Sequence, residues 1–168
     1  MLVKENMLNK NAINWLAYQD VGVKVENGVV FANAGVENKV QLKTYLNLSG
    51  YLSKPLEIGN NYSLRFYFEN LREHPITIRL KGINISPYEI ESYFKGVVSI
   101  SGKRVTDDRY LQIQILAHNP AYYVKFKLDN LIVTDGENSP KLWIPAKADL
   151  KNPTLYPPDG NYEEIKAS

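Results

Sequence analysis

The chain contains no cysteine, which excludes disulfide bonds and thiolate metal sites and leaves the redox compartment undetermined. It also lacks any segment approaching the ~20 apolar residues of a membrane-spanning helix. Residues 1–6 have no apolar run of the length found in a secretion signal. We therefore expect no membrane partner, and we expect that a protein acting outside the cell would leave it by lysis or assembly.

Strong net charge is missing as well. The 20 Lys and Arg residues nearly balance the 18 Asp and Glu residues, for a formal net charge of +2, and no dense basic block occurs. A nucleic-acid partner is therefore not expected.

Residues for catalysis are also scarce, since the only histidines, His74 and His118, both fall at predicted turns. A glycosidase needs two carboxylates roughly 5–10 Å apart across one bond. The candidate acids all fall in predicted loops, where the simplest interpretation is solvation: Glu89, Glu91, Asp107 and Asp108. The sequence therefore predicts a protein that is not an enzyme.

Alternating apolar and polar residues dominate residues 21–134. Strands are predicted where this period-two pattern is clearest: 21–25, 29–31, 40–46, 62–68, 75–81, 94–101, 111–115 and 123–128. Asn27-Gly28 between the first two is a hairpin signal. Residues 85–93 are expected to form a loop or one helical turn, with an irregular strand as the alternative. Residues 9–18 are predicted to be mostly irregular because their asparagines disfavour a helix.

About eight short strands without a long helix predict an all-β fold, an antiparallel jelly-roll β-sandwich. We assign residues 1–138 to this sandwich, in one domain large enough to bury roughly 70% of its surface. Residues 139–168 contain five prolines, which disfavour regular structure. This stretch is expected to be an extended Pro-rich tail that serves as a linker or an assembly arm.

Tyrosine is abundant, with 12 residues against five phenylalanines. Tyrosine rings stack on sugar rings while amide and guanidinium groups bond hydroxyls, although tyrosine is also common on ordinary sheets. Jelly-roll connectivity predicts that strands 40–46, 76–80 and 111–116 share one sheet. Its outward residues would be Gln41, Lys43, Tyr45, Thr77, Arg79, Gln112 and Gln114. We predict a carbohydrate site made by Tyr45, Lys43, Arg79, Gln112, Gln114 and the loop residue Tyr88.

Three segments resemble modules of known proteins. These are Asn6-Met7-Leu8 with Trp15, the stretch from Leu56-Glu57-Ile58-Gly59 to Phe66, and the ending from Lys127-Leu128-Asp129-Asn130 through Asp135-Gly136-Glu137 to Trp143-Ile144-Pro145. In order and spacing they resemble carbohydrate-binding-module-like β-sandwiches in tail proteins of phages that infect Gram-positive bacteria.

The resemblance implies a non-enzymatic glycan-binding module in the virion, at the tail tip or baseplate. Its partners would be host cell-wall polysaccharide and other tail or baseplate proteins, with homo-oligomerisation through the virion. It also implies a structural calcium held partly by Asp129, and no other cofactor. In the alternative interpretation, Asp129 is a strand residue whose carboxylate accepts hydrogen bonds from backbone amides.

Two other functions stay open from the sequence. The sandwich could be a purely structural decoration of the baseplate that docks through residues 139–168. It could also be the accessory domain of a wall-degrading enzyme, which would need a catalytic neighbour.

Overall fold

The computed structural model describes residues 6–8, 22–26, 29–33, 43–48, 51–105, 111–118 and 124–136. These residues form nine β-strands: β1 (Gly22–Glu26), β2 (Val29–Asn33), β3 (Lys43–Asn47), β4 (Asn61–Asn70), β5 (Ile76–Lys81), β6 (Tyr88–Ile90), β7 (Lys95–Lys103), β8 (Gln112–Ala117) and β9 (Lys125–Asp135). The described part of the chain contains no helix with the length and apolar character needed to cross a membrane. The predicted tail at 139–168 and the segment 9–18 lie outside the described residues.

The strands form two antiparallel sheets. One has five strands in the order β1-β2-β9-β4-β7, and the other has four in the order β3-β8-β5-β6. From β2 onward the chain moves between the sheets in the order of a jelly roll, and β1 extends one edge. The predicted antiparallel sandwich is confirmed, as is the prediction that the strands near 40–46, 76–80 and 111–116 share a sheet.

Alternating residues of both sheets fill the core between them. Phe66 and Phe68 of β4 are 1% and 0% exposed, and Phe68 stacks on Phe126 of β9 with ring centroids 5.2 Å apart. Ile78 of β5 and Ile113 of β8 close the core from the other sheet at 0% exposure. Strand periodicity, which places alternate side chains on one face, therefore predicted the core correctly.

Local predictions had mixed outcomes. Glu26 lies opposite Val29 in the antiparallel pair of β1 and β2, as the hairpin prediction requires, while Asn27 and Gly28 lie outside the described residues. The loop or helical turn expected at 85–93 is wrong in part, because Tyr88–Ile90 forms the short strand β6. This strand exists through its pairing with β5, a tertiary contact that its own sequence does not reveal.

Ser63 departs from the alternating pattern. The alternation of β4 predicts that Ser63, next to the inward-facing Leu64, faces outward, yet it is 1% exposed. Its hydroxyl donates a 2.6 Å hydrogen bond to the carbonyl oxygen of Gly136. This bond lets a polar side chain be buried without an unsatisfied group.

β9 contains a β-bulge. Around Phe66 of β4 the register shifts by one residue, so two residues of β9, Asn130 and Leu131, lie opposite one. Asn130 has a φ of 53°, in the left-handed region that asparagine tolerates better than most residues. The Asp129 carboxylate accepts a 2.7 Å hydrogen bond from the Asn130 N–H. The Asp-Asn pair of the C-terminal motif therefore builds this bulge.

The bulge gives a test of backbone strain. We expect Asn130→Val to lower the free energy of unfolding by about 1–2 kcal/mol, because the left-handed conformation is strained for a β-branched residue. Asn130→Gly should match or slightly exceed the stability of the unaltered chain. Urea denaturation of both variants measures the difference, and equal stability of the two would contradict the assigned strain.

Residues 6–8 take the place of β2 beside the second half of β9. The Met7 N–H donates to the Val133 carbonyl oxygen at 2.7 Å, and Leu8 forms an isolated antiparallel bridge with Leu52. Asn6 is 1% exposed, and its Oδ1 accepts hydrogen bonds from the backbone N–H groups of Val133 and Leu8 at 3.0 and 3.1 Å. The first resembling motif is thus a buried amide clamp on the last strand.

Candidate functional site

The outer face of the four-stranded sheet brings together most of the predicted sugar-binding residues. Tyr45 of β3 lies opposite Gln114 of β8, and Gln114 lies opposite Arg79 of β5. Residues that oppose one another in an antiparallel pair share a face. These positions therefore form one row across the sheet, which we call the central row.

Two flanking rows carry further polar positions. The row on one side is Asn47, Gln112 and Lys81, and the row on the other is Lys43, Leu116, Thr77 and Glu89. Arg79 and Lys81 are exposed, while Gln112 and Gln114 are half-buried. With strands ~4.8 Å apart, the central row spans about 10 Å. Five predicted residues, Lys43, Tyr45, Arg79, Gln112 and Gln114, are neighbours in this register, whereas Gln41 lies outside the described residues.

A hydrogen-bonded cluster closes one end of this face. The Thr77 hydroxyl donates to Glu89 Oε1 at 2.9 Å, and His118 Nε2 lies 2.7 Å from Glu89 Oε2 and 2.9 Å from Thr77 Oγ1. Glu89, expected in a loop, stands on the strand β6. His118 follows the end of β8. Sequence reasoning missed this cluster because its members come from three separate strands or strand ends.

The cluster does not have the geometry of a catalytic triad. In a triad the imidazole links a hydroxyl to a carboxylate through two different ring nitrogens. Here one nitrogen, Nε2 of His118, contacts both groups, and the Glu89 carboxylate also accepts from Thr77 directly. Such a closed ring orders the three side chains but does not place the imidazole between hydroxyl and carboxylate through two different nitrogens.

Tyr88 does not join the predicted site. It lies opposite Ile78 of β5, whose side chain is in the core, so Tyr88 is on the inner side of the sheet. Because β6 is an edge strand, the ring stays 36% exposed and lines a cleft at the margin of the sandwich together with Ser99 of β7.

The outer face of the five-stranded sheet also carries an aromatic and charged group. The Tyr67 hydroxyl donates to Glu69 Oε1 at 2.8 Å, Lys95 Nζ lies 3.8 Å from the same oxygen, and Lys127 Nζ lies 6.0 Å from the Tyr67 ring centroid. Partial burial, and then the hydrogen bond to Glu69, raise the pKa of Tyr67. On this face the Tyr67 hydroxyl and the Glu69 carboxylate are therefore already engaged with each other.

A pocket of about 350 Å³ lies at one end of the sandwich. Lys54 Nζ and Asp135 Oδ2 form a 2.6 Å ion pair in it, and the Asn60 side-chain amide donates to Glu57 at 3.1 Å. The Tyr62 hydroxyl accepts a 2.7 Å hydrogen bond from the Glu57 N–H. The second resembling motif thus serves to close this end of the fold.

Calcium at Asp129 stays a prediction. The Asp129 carboxylate accepts a hydrogen bond from the Asn130 N–H. This agrees with the alternative interpretation, in which backbone amides bond to this carboxylate. Within the described ranges, no group of three or more Asp, Glu or His side chains is placed to hold a metal ion. A calcium site at Asp129 would therefore take most of its six to eight oxygens from other groups, such as backbone carbonyls, amides or water.

Comparison with known proteins gives structural neighbours only. No family model matches the chain, and no curated protein matches it. A solved family 4 carbohydrate-binding module, described as "CBM4 structure and function", is similar with a TM-score of 0.52 at 14% identity, over 79% of this chain and 95% of that one. The CBM22-1 and GH10 modules of Clostridium thermocellum endo-1,4-beta-D-xylanase 10B, complexed with xylohexaose, give a TM-score of 0.51 at 14% identity, over 82% of this chain and 28% of that one. The chain has the β-sandwich fold seen in solved carbohydrate-binding modules.

Proposed function

We propose that the chain is a non-enzymatic glycan-binding module that holds a polysaccharide on the outer face of its four-stranded sheet. The observation that carries the proposal is the central row, in which Tyr45, Gln114 and Arg79 occupy neighbouring positions on three adjacent strands. An aromatic ring beside an amide and a guanidinium group is the combination that saccharide recognition needs. The fold shared with carbohydrate-binding modules supports this proposal.

The charges of the face define the ligand class. Arg79 and Lys81 are exposed on it, and Gln114 and Gln112 are half-buried opposite them on β8. Glu89, the carboxylate at its end, is already bonded to Thr77 and His118. The ligand that fits is a neutral or phosphate-decorated glycan, and a polysaccharide of the bacterial cell wall has this chemistry.

The local contacts of both histidines favour a binding role over a catalytic one. His118 and Glu89 form a closed ring with Thr77 through a single imidazole nitrogen. His74, the other histidine, lies 3.0 Å from Glu73 at the turn before β5. Both histidines are thus engaged locally, in keeping with a module that binds without reacting.

The proposed setting is the tail tip or baseplate of a phage that infects Gram-positive bacteria. Three resembling segments favour it, and described residues of each have a structural role, in the Asn6 clamp, the Glu57–Tyr62 turn and the Asp129-Asn130 bulge. The module would attach the virion to host polysaccharide and would contact other tail proteins. Repeated copies on a symmetric tail would raise a weak single-site affinity by ~100-fold or more.

A multivalent binding assay tests this function. The chain is displayed as a tetramer and applied to a glycan array that includes cell-wall polysaccharides and xylohexaose, and to intact Gram-positive cells. We expect glycan-dependent binding by the tetramer and weak binding by the monomer. A tetramer that binds neither the array nor any cell would contradict the proposal.

The five prolines of residues 139–168 favour a second role, docking onto a baseplate partner. Deleting residues 140–168 separates it from recognition by the sandwich. If the tail serves assembly, the deletion abolishes incorporation into particles and leaves glycan binding intact. Loss of glycan binding together with normal incorporation would contradict this division of roles.

A further inference from the structure

A cleft lies where the margins of the two sheets meet. β6 is the edge strand of the four-stranded sheet, and β7 is the edge strand of the five-stranded sheet. Between them is a cleft of about 480 Å³, lined by Asn84, Ser86 and Tyr88 on one side and by Ser99 and Ser101 of β7 on the other. We call this the edge cleft. Its volume lies in the range of small-molecule sites.

Close backbone packing sets the position of its two walls. A Cβ atom added at Gly102 would overlap the Asn84 carbonyl oxygen and would lie 2.8 Å from Cγ2 of Ile85. The Asn84 N–H donates to the Lys103 carbonyl oxygen at 2.9 Å. Only glycine allows the β5–β6 connection to lie this close to β7, so the cleft is a fixed feature of the fold.

The polar side chains of the edge cleft are not committed to partners in the protein. Asn84, Ser86, Tyr88, Ser99 and Ser101 make no side-chain hydrogen bond within the part of the chain that the structure describes. The end pocket differs, because its Lys54 is paired with Asp135 and its Glu57 with Asn60. Of these two pockets, the edge cleft is the one whose polar side chains are available to form hydrogen bonds with a ligand.

The backbone of β7 adds to this set. The Lys103 carbonyl oxygen faces away from β4, because it accepts from Asn84. Residues two apart on a strand direct their N–H and C=O groups to the same side, so those of Ser101 and Ser99 also face the cleft. Neutral hydroxyls, an amide, a phenol ring and peptide groups, without a charged lining residue, fit a polyhydroxylated neutral sugar.

The edge cleft also lies at the end of the central row. β5 pairs with β6 through Ile78–Tyr88 and Thr77–Glu89, so the position across from Arg79 is that of Pro87. A glycan crossing the sheet over Tyr45, Gln114 and Arg79 leaves it at Pro87, and both neighbours of that residue, Ser86 and Tyr88, line the cleft.

We propose that the edge cleft is a subsite for one further neutral sugar unit of the polysaccharide bound on the sheet face. This inference rests on the proposed glycan-binding function and makes it specific: the site is longer than the sheet, and long oligosaccharides bind better than short ones. Tyr88 then contributes to binding, from the edge cleft and not from the outer face.

The test compares chain lengths. Xylotriose and xylohexaose are titrated into the chain, and the same is done with the trisaccharide and hexasaccharide of the glycan that binds best on the array. We expect Tyr88→Ala to weaken hexasaccharide binding about tenfold, the loss of roughly one stacked ring, and to leave trisaccharide binding unchanged. The double variant Ser99→Ala and Ser101→Ala should show the same selectivity with intact folding. Tyr93→Ala is the matched control, since Tyr93 is 65% exposed outside the cleft.

The possible failures are distinguishable. If Arg79→Ala weakens both oligosaccharides while Tyr88→Ala and the serine variant change neither, the sheet face binds glycan and the edge-cleft subsite is wrong. If the unaltered chain binds no oligosaccharide or array glycan, the proposed function fails, and the subsite with it. The third failure concerns hydrogen exchange of the Ser99 and Ser101 amides. If the hexasaccharide does not slow their exchange but a higher protein concentration does, the β7 edge pairs with a strand of another copy. That result also overturns the subsite.

Discussion

Replacing Asn6 with leucine lowers the free energy of unfolding by about 3 kcal/mol, because two buried backbone N–H groups lose their acceptor at once. Oδ1 of Asn6 accepts from Leu8 and Val133, and the three residues are 1%, 1% and 0% exposed. Leucine has nearly the same size but offers no oxygen. Thermal denaturation should show the loss as a melting temperature lower by about 6–12 °C for a chain of this length.

Asn6→Asp is the matched control for this substitution. It retains an oxygen at the Oδ1 position that accepts both N–H groups, so it should lose less stability than Asn6→Leu. A leucine variant as stable as the unaltered chain would contradict the clamp between residues 6–8 and β9.

The double substitution Tyr45→Ala and Arg79→Ala should weaken glycan binding by roughly 100- to 1,000-fold. One stacked ring contributes about 1–1.5 kcal/mol and one charge-assisted hydrogen bond about 1.5–3 kcal/mol; together they correspond to roughly two to three powers of ten in affinity. The two positions flank Gln114 in the central row. Binding by the tetrameric form, on the array glycan with the strongest signal, measures the change.

The other sheet offers a matched control with the same two residue types. Arg65 and Tyr67 lie on the outer face of the five-stranded sheet, and Tyr67 is bonded to Glu69. Arg65→Ala with Tyr67→Ala should leave binding unchanged in a folded protein. If the Tyr45 and Arg79 double variant binds as well as the unaltered chain, the assignment of the face is wrong.

The sequence predicted the sandwich because burial on a sheet requires period-two alternation. β4 shows why this works: its apolar residues Leu64, Phe66 and Phe68 are 0–1% exposed in the core. The same pattern, with jelly-roll connectivity, correctly placed the strands of Tyr45, Arg79 and Gln114 in one sheet. Even their shared row follows from that alternation once the register is known.

What the sequence could not predict depends on contacts between distant segments. β6 was missed because three residues become a strand only through pairing with β5. For the same reason Tyr88 was expected in a loop beside the sheet face, and the Thr77–Glu89–His118 cluster was not predicted. The buried Ser63 also needed a partner 73 residues away, the carbonyl group of Gly136. Local patterns identify faces, whereas edges, turns and caps are decided by tertiary neighbours.

Amide chemical-shift mapping by NMR tests the central claim most directly. The monomer is labelled with nitrogen-15 and titrated with the array glycan that binds best. The account predicts that the largest shifts fall on Arg79 of β5 and on Gln112 and Gln114 of β8, with smaller shifts at Ser99 and Ser101 for long oligosaccharides. Shifts confined to Arg65, Tyr67 and Lys127 would place the ligand on the five-stranded sheet and contradict it.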